Sequence, residues 1–199
     1  MSKSYSIKRL YRARSKYHHF DDSALEDQWQ LEVYLHALGL MKKHQLQSVV
    51  DIGCGSGYKL VTYLGEYDTL GLELPENVEL LHKKYPDRKW ELSDFGVDPK
   101  INTDLLVCSD VIEHIVDPDD LLDYIKRMEF QYLILSTPER NLLYKPWSRS
   151  NWGPPSNKAH IREWNFKELG DYISQHFNVI DHRVTNMHQA TQMIICQKK

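Results

Sequence analysis

The sequence predicts an α/β fold built on a doubly wound, mostly parallel sheet. Short β-branched runs alternate with amphipathic helical segments, and a glycine-rich turn follows the first such run. The 199 residues suit one domain with a substantial core. Hydrophobic residues make up 41% and charged residues 27%, which excludes a disordered or collagen-like chain. The longest apolar runs, such as 105–108 and 132–135, fall far short of the roughly 20 residues that cross a bilayer. Cys54, Cys108 and Cys196 lie far apart with no Cys-x-x-Cys pair, which argues against a disulfide framework and for a reducing compartment, the cytoplasm.

The elements follow in order. In residues 27–45 apolar side chains recur at Trp29, Val33, Leu35, Leu38 and Met41, the spacing of an amphipathic helix. Ser48-Val49-Val50-Asp51-Ile52 then reads as a buried strand entering the turn Gly53-Cys54-Gly55-Ser56-Gly57. A helix over 58–64 follows, then strand 69–73, helix 75–85, strands 89–92 and 104–109, helix 118–128 and strand 132–136. Pro75 and Pro118 suit a first helical turn, where no amide donor is missed. A helix over 166–175 and strands 179–184 and 191–197 close the chain. The connection 138–165 is too long for an ordinary loop and reads as a lid. Its Trp147, Trp152 and Trp164, with Gly153-Pro154-Pro155 among them, suggest a shaped wall.

Residues 1–26 form a basic N-terminal arm ahead of a domain at 27–199. Within residues 1–20, Lys3, Lys8, Arg9, Arg12, Arg14 and Lys16 stand without an acid, leaving −9 on the rest of a chain whose total is −3. Ile7, Leu10, Tyr11 and Arg14 fall at helical spacing, and the composition is that of a transit peptide. Two other readings are a solvated arm beside an entrance, with His18 and His19 in it, and a contact with an anionic substrate or nucleic acid.

In a doubly wound sheet, ligands bind beyond the carboxyl ends of the strands. Gly53, Gly55 and Gly57 let backbone approach a ligand there. Glu73, twenty residues past Gly53, can accept hydrogen bonds from ribose hydroxyls. A dinucleotide fingerprint would need glycine at 58, where Tyr58 stands, and the Gly-Lys-Ser/Thr ending of a P-loop is missing. Asp51 would repel a pyrophosphate but attract a cation, which favours S-adenosylmethionine (SAM).

Val49 to Gly57 resembles the first motif of class I SAM-dependent methyltransferases, and Gly71-Leu72-Glu73-Leu74 resembles their second. Ser93-Asp94-Phe95 is similar to their adenine site, and Cys108-Ser109-Asp110-Val111-Ile112-Glu113-His114 to their fourth motif. The resemblance, over about 28–197, implies a Rossmann-like sheet of seven strands with the last antiparallel. It implies SAM contacts at Asp51, Gly53, Gly55, Glu73, Asp94 and Ser109, with backbone contacts at Cys54, Leu74 and Phe95. Cys54 reads as a small residue in a tight turn, not a nucleophile.

A hydroxyl acceptor needs a base, and histidine titrates near neutrality. His114, after the fourth strand, and His160, in the lid, are the candidates. Asp110, Glu113 and His114 would share one face of a helical turn and could present oxygen ligands to Mg²⁺, as a similar Glu-His pair in quinone-biosynthesis methyltransferases suggests. No closed ligand set is visible, and no metal is expected. Ser109-Asp110-Val111-Ile112 lacks the Pro-Pro-aromatic motif of adenine amine methylation, which disfavours a nucleobase. The lid at 153–164 resembles that of bacterial methyltransferases of polysaccharide and natural-product pathways. Tyr144, Trp147 and Trp152 could stack on a sugar ring or an aromatic acceptor or fill the lid's own core, and Arg149, Lys158 and Arg162 could hold a phosphate or carboxylate, or be solvated or paired with Glu163. The expected activity is therefore methyl transfer to a small molecule, at oxygen of a sugar or sugar-nucleotide. The alternatives are a non-catalytic protein that binds SAM or S-adenosylhomocysteine, and an RNA methyltransferase using the arm.

Overall fold

The computed structural model describes residues 3–16 and 25–199. Its strands are β1 (Ser48–Ile52), β2 (Asp68–Glu73), β3 (Lys89–Leu92), β4 (Asn102–Ser109), β5 (Glu129–Pro138), β6 (Asn178–Asn186) and β7 (Thr191–Gln197). They form one sheet in the order β3-β2-β1-β4-β5-β7-β6. All run parallel except β7, which pairs antiparallel with both β5 and β6. The expected architecture holds, and strand order reverses between β1 and β4. That is the switch point where such sheets bind ligands.

The helices are α1 (Leu31–His44), α2 (Tyr58–Leu64), α3 (Pro75–Lys84), α4 (Pro118–Lys126), α5 (Arg140–Leu143) and α6 (Phe166–His176), with 3₁₀ turns at Ile112–His114 and Arg149–Trp152. Their starts follow from local chemistry. Asp117 accepts from the Asp119 amide ahead of Pro118, and Asn165 and Glu168 form a capping box on α6. α1 begins at Leu31 instead of residue 27, because Gln30 sits at φ 64°. β5 outruns its apolar run at both ends because β4 pairs with it from Glu129 and β7 pairs with it as far as Pro138.

The sheet buries one core on each face. On one face Val33, Tyr34, Met41, Leu60, Leu64, Leu81 and Trp90 pack beneath the first three helices. On the other, Ile112, Leu121, Ile125, Trp164, Leu169, Tyr172 and Ile173 join α4, the lid and α6. Ile7 of the arm belongs to this second core.

Residues 3–16 form turns, not the helix their spacing suggests. Their amides serve other elements: Arg12 donates to the Trp152 carbonyl at 2.9 Å and Arg14 to that of Ile161 at 2.8 Å. Gly153, where the arm crosses, has no room for a Cβ, which would stand 2.1 Å from the Arg12 oxygen. His18 and His19 lie outside the described residues. No described helix is long and apolar enough to cross a membrane.

Candidate active site

The glycine turn joins β1 to α2, with Gly53, Gly55 and Gly57 all at positive φ. A Cβ on Gly53 would stand 2.5 Å from a Val111 methyl, and one on Gly57 2.8 Å from the Trp90 ring. The turn is therefore closed to side chains on both counts. Asp51, fully buried at the end of β1, accepts from the Tyr34 hydroxyl at 2.7 Å, and burial pushes that phenol well up. Glu73, at the end of β2, accepts from the Gly55 amide at 2.9 Å and the Leu74 amide at 2.6 Å, so its carboxylate faces the turn. Cys54 is buried in the turn. Two buried carboxylates on adjacent strands, beside a turn with no room for a Cβ at Gly53 or Gly57, fit a cationic nucleoside such as SAM.

Asp94 and Phe95 follow β3 at the same, carboxyl end of the parallel strands. Asp94 is exposed and accepts from the Gly96 amide at 2.9 Å, and Phe95 packs on Tyr124 with ring centres 5.1 Å apart. Ser109, at the end of β4, is 2.9 Å from the Ser136 hydroxyl, which in turn donates to Asp110 at 2.6 Å. Asp110 sits at φ 53°, a costly conformation for a non-glycine residue. Burial raises its carboxyl pKa, opposed by hydrogen bonds from Ser136 and Gln30.

The 3₁₀ turn after β4 is strapped to the lid. The Glu113 carbonyl accepts from the Ile161 amide at 2.8 Å, and His114 Nδ1 donates to the Ala159 carbonyl at 3.0 Å. This brings His160 beside His114, ring centres 5.0 Å apart, although 46 residues separate them. His160 Nδ1 meets Glu163 Oε1 at 2.6 Å and its Nε2 meets the Asn157 amide nitrogen at 2.9 Å. The Asn157 oxygen accepts from the Ala159 amide, which fixes the amide's orientation. Both imidazoles thus carry their proton on Nδ1 and have Nε2 as the acceptor, which in His160 takes the Asn157 amide. Burial, then the neighbouring His160, lowers His114 to about 4. Burial, then the Asp110 charge, pushes Glu113 well up.

The sequence placed Asp51, Gly53, Gly55 and Glu73 through one contiguous pattern and its strand neighbour. It missed Tyr34, which left no signal beyond helical spacing, and Asn157. Glu163 stands three residues past His160, a spacing that could have paired them. Glu113 and His114 meet His160, while Asp110 turns toward Ser136 and Gln30. The three lid tryptophans do not form one wall. Trp164 is fully buried on Tyr172, whereas Trp147 is 79% and Trp152 45% exposed. Arg162 is neither an anion site nor a partner of Glu163: buried, it donates to the Ile115 and Val116 carbonyls. Arg149 and Lys158 are exposed.

Residues 17–183 match a family model described as a methyltransferase domain. No curated protein matches the chain. Among solved structures, magnesium protoporphyrin IX methyltransferase from Synechocystis, crystallised with bound S-adenosylhomocysteine, superposes with a TM-score of 0.65 at 13% identity. The match covers 85% of this chain and 83% of that one. Streptomyces venezuelae DesVI gives 0.66 at 13% identity over 85% and 92%. The small RNA methyltransferase HEN1 gives 0.63 at 18% identity over 92% of this chain and 27% of its own.

Proposed function

The chain belongs to the methyltransferase-domain family, whose methyl donor is SAM, and from that premise we propose that it methylates an oxygen of a small-molecule acceptor, a sugar or sugar-nucleotide. The observation that carries this reading is the His160 pair with Glu163. The His160 Nδ1 proton is held by a carboxylate, so Nε2, which accepts from the Asn157 amide, becomes the proton acceptor once an acceptor hydroxyl displaces that amide, at the carboxyl end of the sheet.

When bound, SAM supplies an activated methyl on a sulfonium. The chain's own task is alignment, and holding reactants in line supplies on the order of 7–11 kcal/mol. Asp51 and Glu73 hold the cationic nucleoside, with the Gly53–Gly57 backbone, Cys54 and Leu74 against it. Asp94 and Phe95 take the adenine, and Ser109 borders the donor end. His160 accepts the acceptor hydroxyl's proton, Glu163 stabilises the resulting imidazolium, and His114, neutral near pH 7, orients the loop and lines the same space. The exposed faces of Trp147 and Trp152, with Arg149 and Lys158 nearby in sequence, suit a sugar ring bearing an anionic group.

The arm supports a small acceptor over RNA. Lys3 pairs with Asp117 and Asp119, Lys8 lies on Asn151 and the Trp152 ring, and Arg14 donates to the Pro155 carbonyl, so half of its cations serve the fold.

Calorimetry with SAM and S-adenosylhomocysteine, joined to label transfer from SAM onto a panel of sugars and sugar-nucleotides, tests the reading. Glu73→Ala should weaken SAM binding at least about tenfold. His160→Ala should lower turnover by about a hundredfold or more with SAM affinity intact. Absence of SAM binding, or unchanged turnover in His160→Ala, overturns it.

A further inference from the structure

Glu113 is fully buried, and while its Oε2 accepts from the Thr137 hydroxyl at 2.9 Å, its Oε1 has no hydrogen-bond partner among the described residues. A buried oxygen of this kind costs roughly 1–3 kcal/mol unless something meets it. One donor atom from each of Glu113, His114 and His160 lies within 4.8 Å of those of the other two. We propose that Glu113, His114 and His160 bind a divalent first-row transition-metal ion at the methyl-acceptor side of the site.

Three features of the cluster fit an ion. The donors are two imidazole nitrogens and one carboxylate, a set that suits ions such as Zn²⁺, Mn²⁺ or Co²⁺ better than the all-oxygen surroundings Mg²⁺ prefers. Each imidazole is already oriented as a ligand. His114 gives its Nδ1 proton to a backbone carbonyl and His160 gives its own to a carboxylate, the outer-shell pattern that aims Nε2 at a metal. The span is also right: bonds of about 2.0–2.2 Å place opposite donors about 4 Å apart, so small side-chain rotations close the set. At His160 the ion would take the lone pair that the Asn157 amide now occupies. Glu113 and His114 come from the turn after β4 and His160 from the lid, so the ion would join the two.

Three protein ligands leave open positions for an acceptor oxygen. This part rests on the proposed methyl transfer. In the ion-loaded site both Nε2 atoms are ligands, so His160 serves there as a ligand in place of the base it is in the metal-free site, and the ion makes the hydroxyl acidic. The O–H proton passes to water, the new O–CH₃ bond forms, and the C–S bond of SAM breaks with its electrons left on sulfur.

The test uses the full chain stripped with a chelator and dialysed, then titrated calorimetrically with MnCl₂, ZnCl₂ and MgCl₂. Mn²⁺ binding is also followed by loss of the free-ion EPR signal. One Mn²⁺ or Zn²⁺ per chain should bind at micromolar or tighter affinity, Mg²⁺ at least tenfold more weakly, and Glu113→Gln and His160→Ala should each weaken binding more than tenfold. SAM calorimetry on each variant reports whether it is folded. No binding of Mn²⁺ or Zn²⁺ at millimolar ion by the wild-type chain, or unchanged affinity in a variant that still binds SAM, overturns the proposal. Ion binding without SAM binding would overturn the function proposed above and leave the metal site standing.

Discussion

The two faces of the sheet are built differently. On the face of the glycine turn, α1 lies against β4, β5 and β6, α2 against β2 and α3 against β2 and β3, and the candidate cofactor groups come from one contiguous stretch, residues 51–57, and the strand beside it. On the lid face, the arm, the turn after β4, the lid and α6 meet only in three dimensions. Tyr5 accepts from the Trp164 indole at 2.9 Å, Lys8 donates its amide to Glu168, and the Glu163 amide donates to the Tyr11 hydroxyl. The buried Arg140–Glu168 pair, 2.7 Å apart, ties the lid to α6. One face is a local turn with neighbours. The other is a set of straps, and its site exists only while they hold.

The largest effects should come from the buried tryptophan on each face. Trp164 stacks on Tyr172 at 5.8 Å and Trp90 backs Gly57 and Gly71. Either change to alanine should cost about 3–5 kcal/mol in a urea melt. The secondary readouts should separate. Trp164→Ala should expose the arm to limited proteolysis at Arg12 and Arg14 while SAM affinity stays within a fewfold, and Trp90→Ala should do the reverse. Equal arm cleavage in both would mean that the two faces act as one unit.

That contrast explains what the sequence disclosed. The succession of strands and helices and the glycine turn were legible because strand periodicity and glycine spacing are local signals. Asp51 and Glu73 followed, each ending a recognisable strand. His114 and His160 were named singly, but their meeting with Glu113 was not legible, because it depends on bonds from Ile161 and Ala159 to the turn after β4. The arm misled for a related reason. Ile7, Leu10 and Tyr11 have helical spacing, yet Ile7 enters the core while Leu10 stays 77% exposed. Backbone bonds to the lid outweigh a weak helical preference in so short a segment.

Gly53 is where the faces touch, since its missing Cβ makes room for Val111 at the end of β4. Gly53→Ala should cost about 1–2 kcal/mol from the left-handed backbone alone, plus the clash, and should weaken SAM binding. Adding Val111→Ala should recover the steric part and leave the backbone part. Full recovery in the double variant would mean that φ at this position carries no cost, and no recovery would mean that Val111 is not what the turn presses on.

The smallest effect lies on the lid face, at the sheet edge. His182 stacks on Phe166 at 3.6 Å and meets the Gln192 oxygen at 3.1 Å, and Gln192 is oriented by its own donation to the Pro138 and Trp164 carbonyls. The His182 proton therefore sits on Nε2. Burial lowers its pKa, outweighing the opposite pull of Gln192 and Asp181. As pH falls below about 6.5 the unfolded chain takes up a proton that the folded one resists, so stability falls with pH until the folded pKa is passed, whereas above about 6.5 it is level. His182→Gln keeps a polar partner for Gln192 and removes the titration, so its melting temperature should drop less than the wild type's between pH 7 and pH 5. Part of the slope should survive, because burial also lowers His36, His114 and His176. An identical slope in the variant would show that His182 takes its proton as readily when folded, and that this edge of the lid face is open to water.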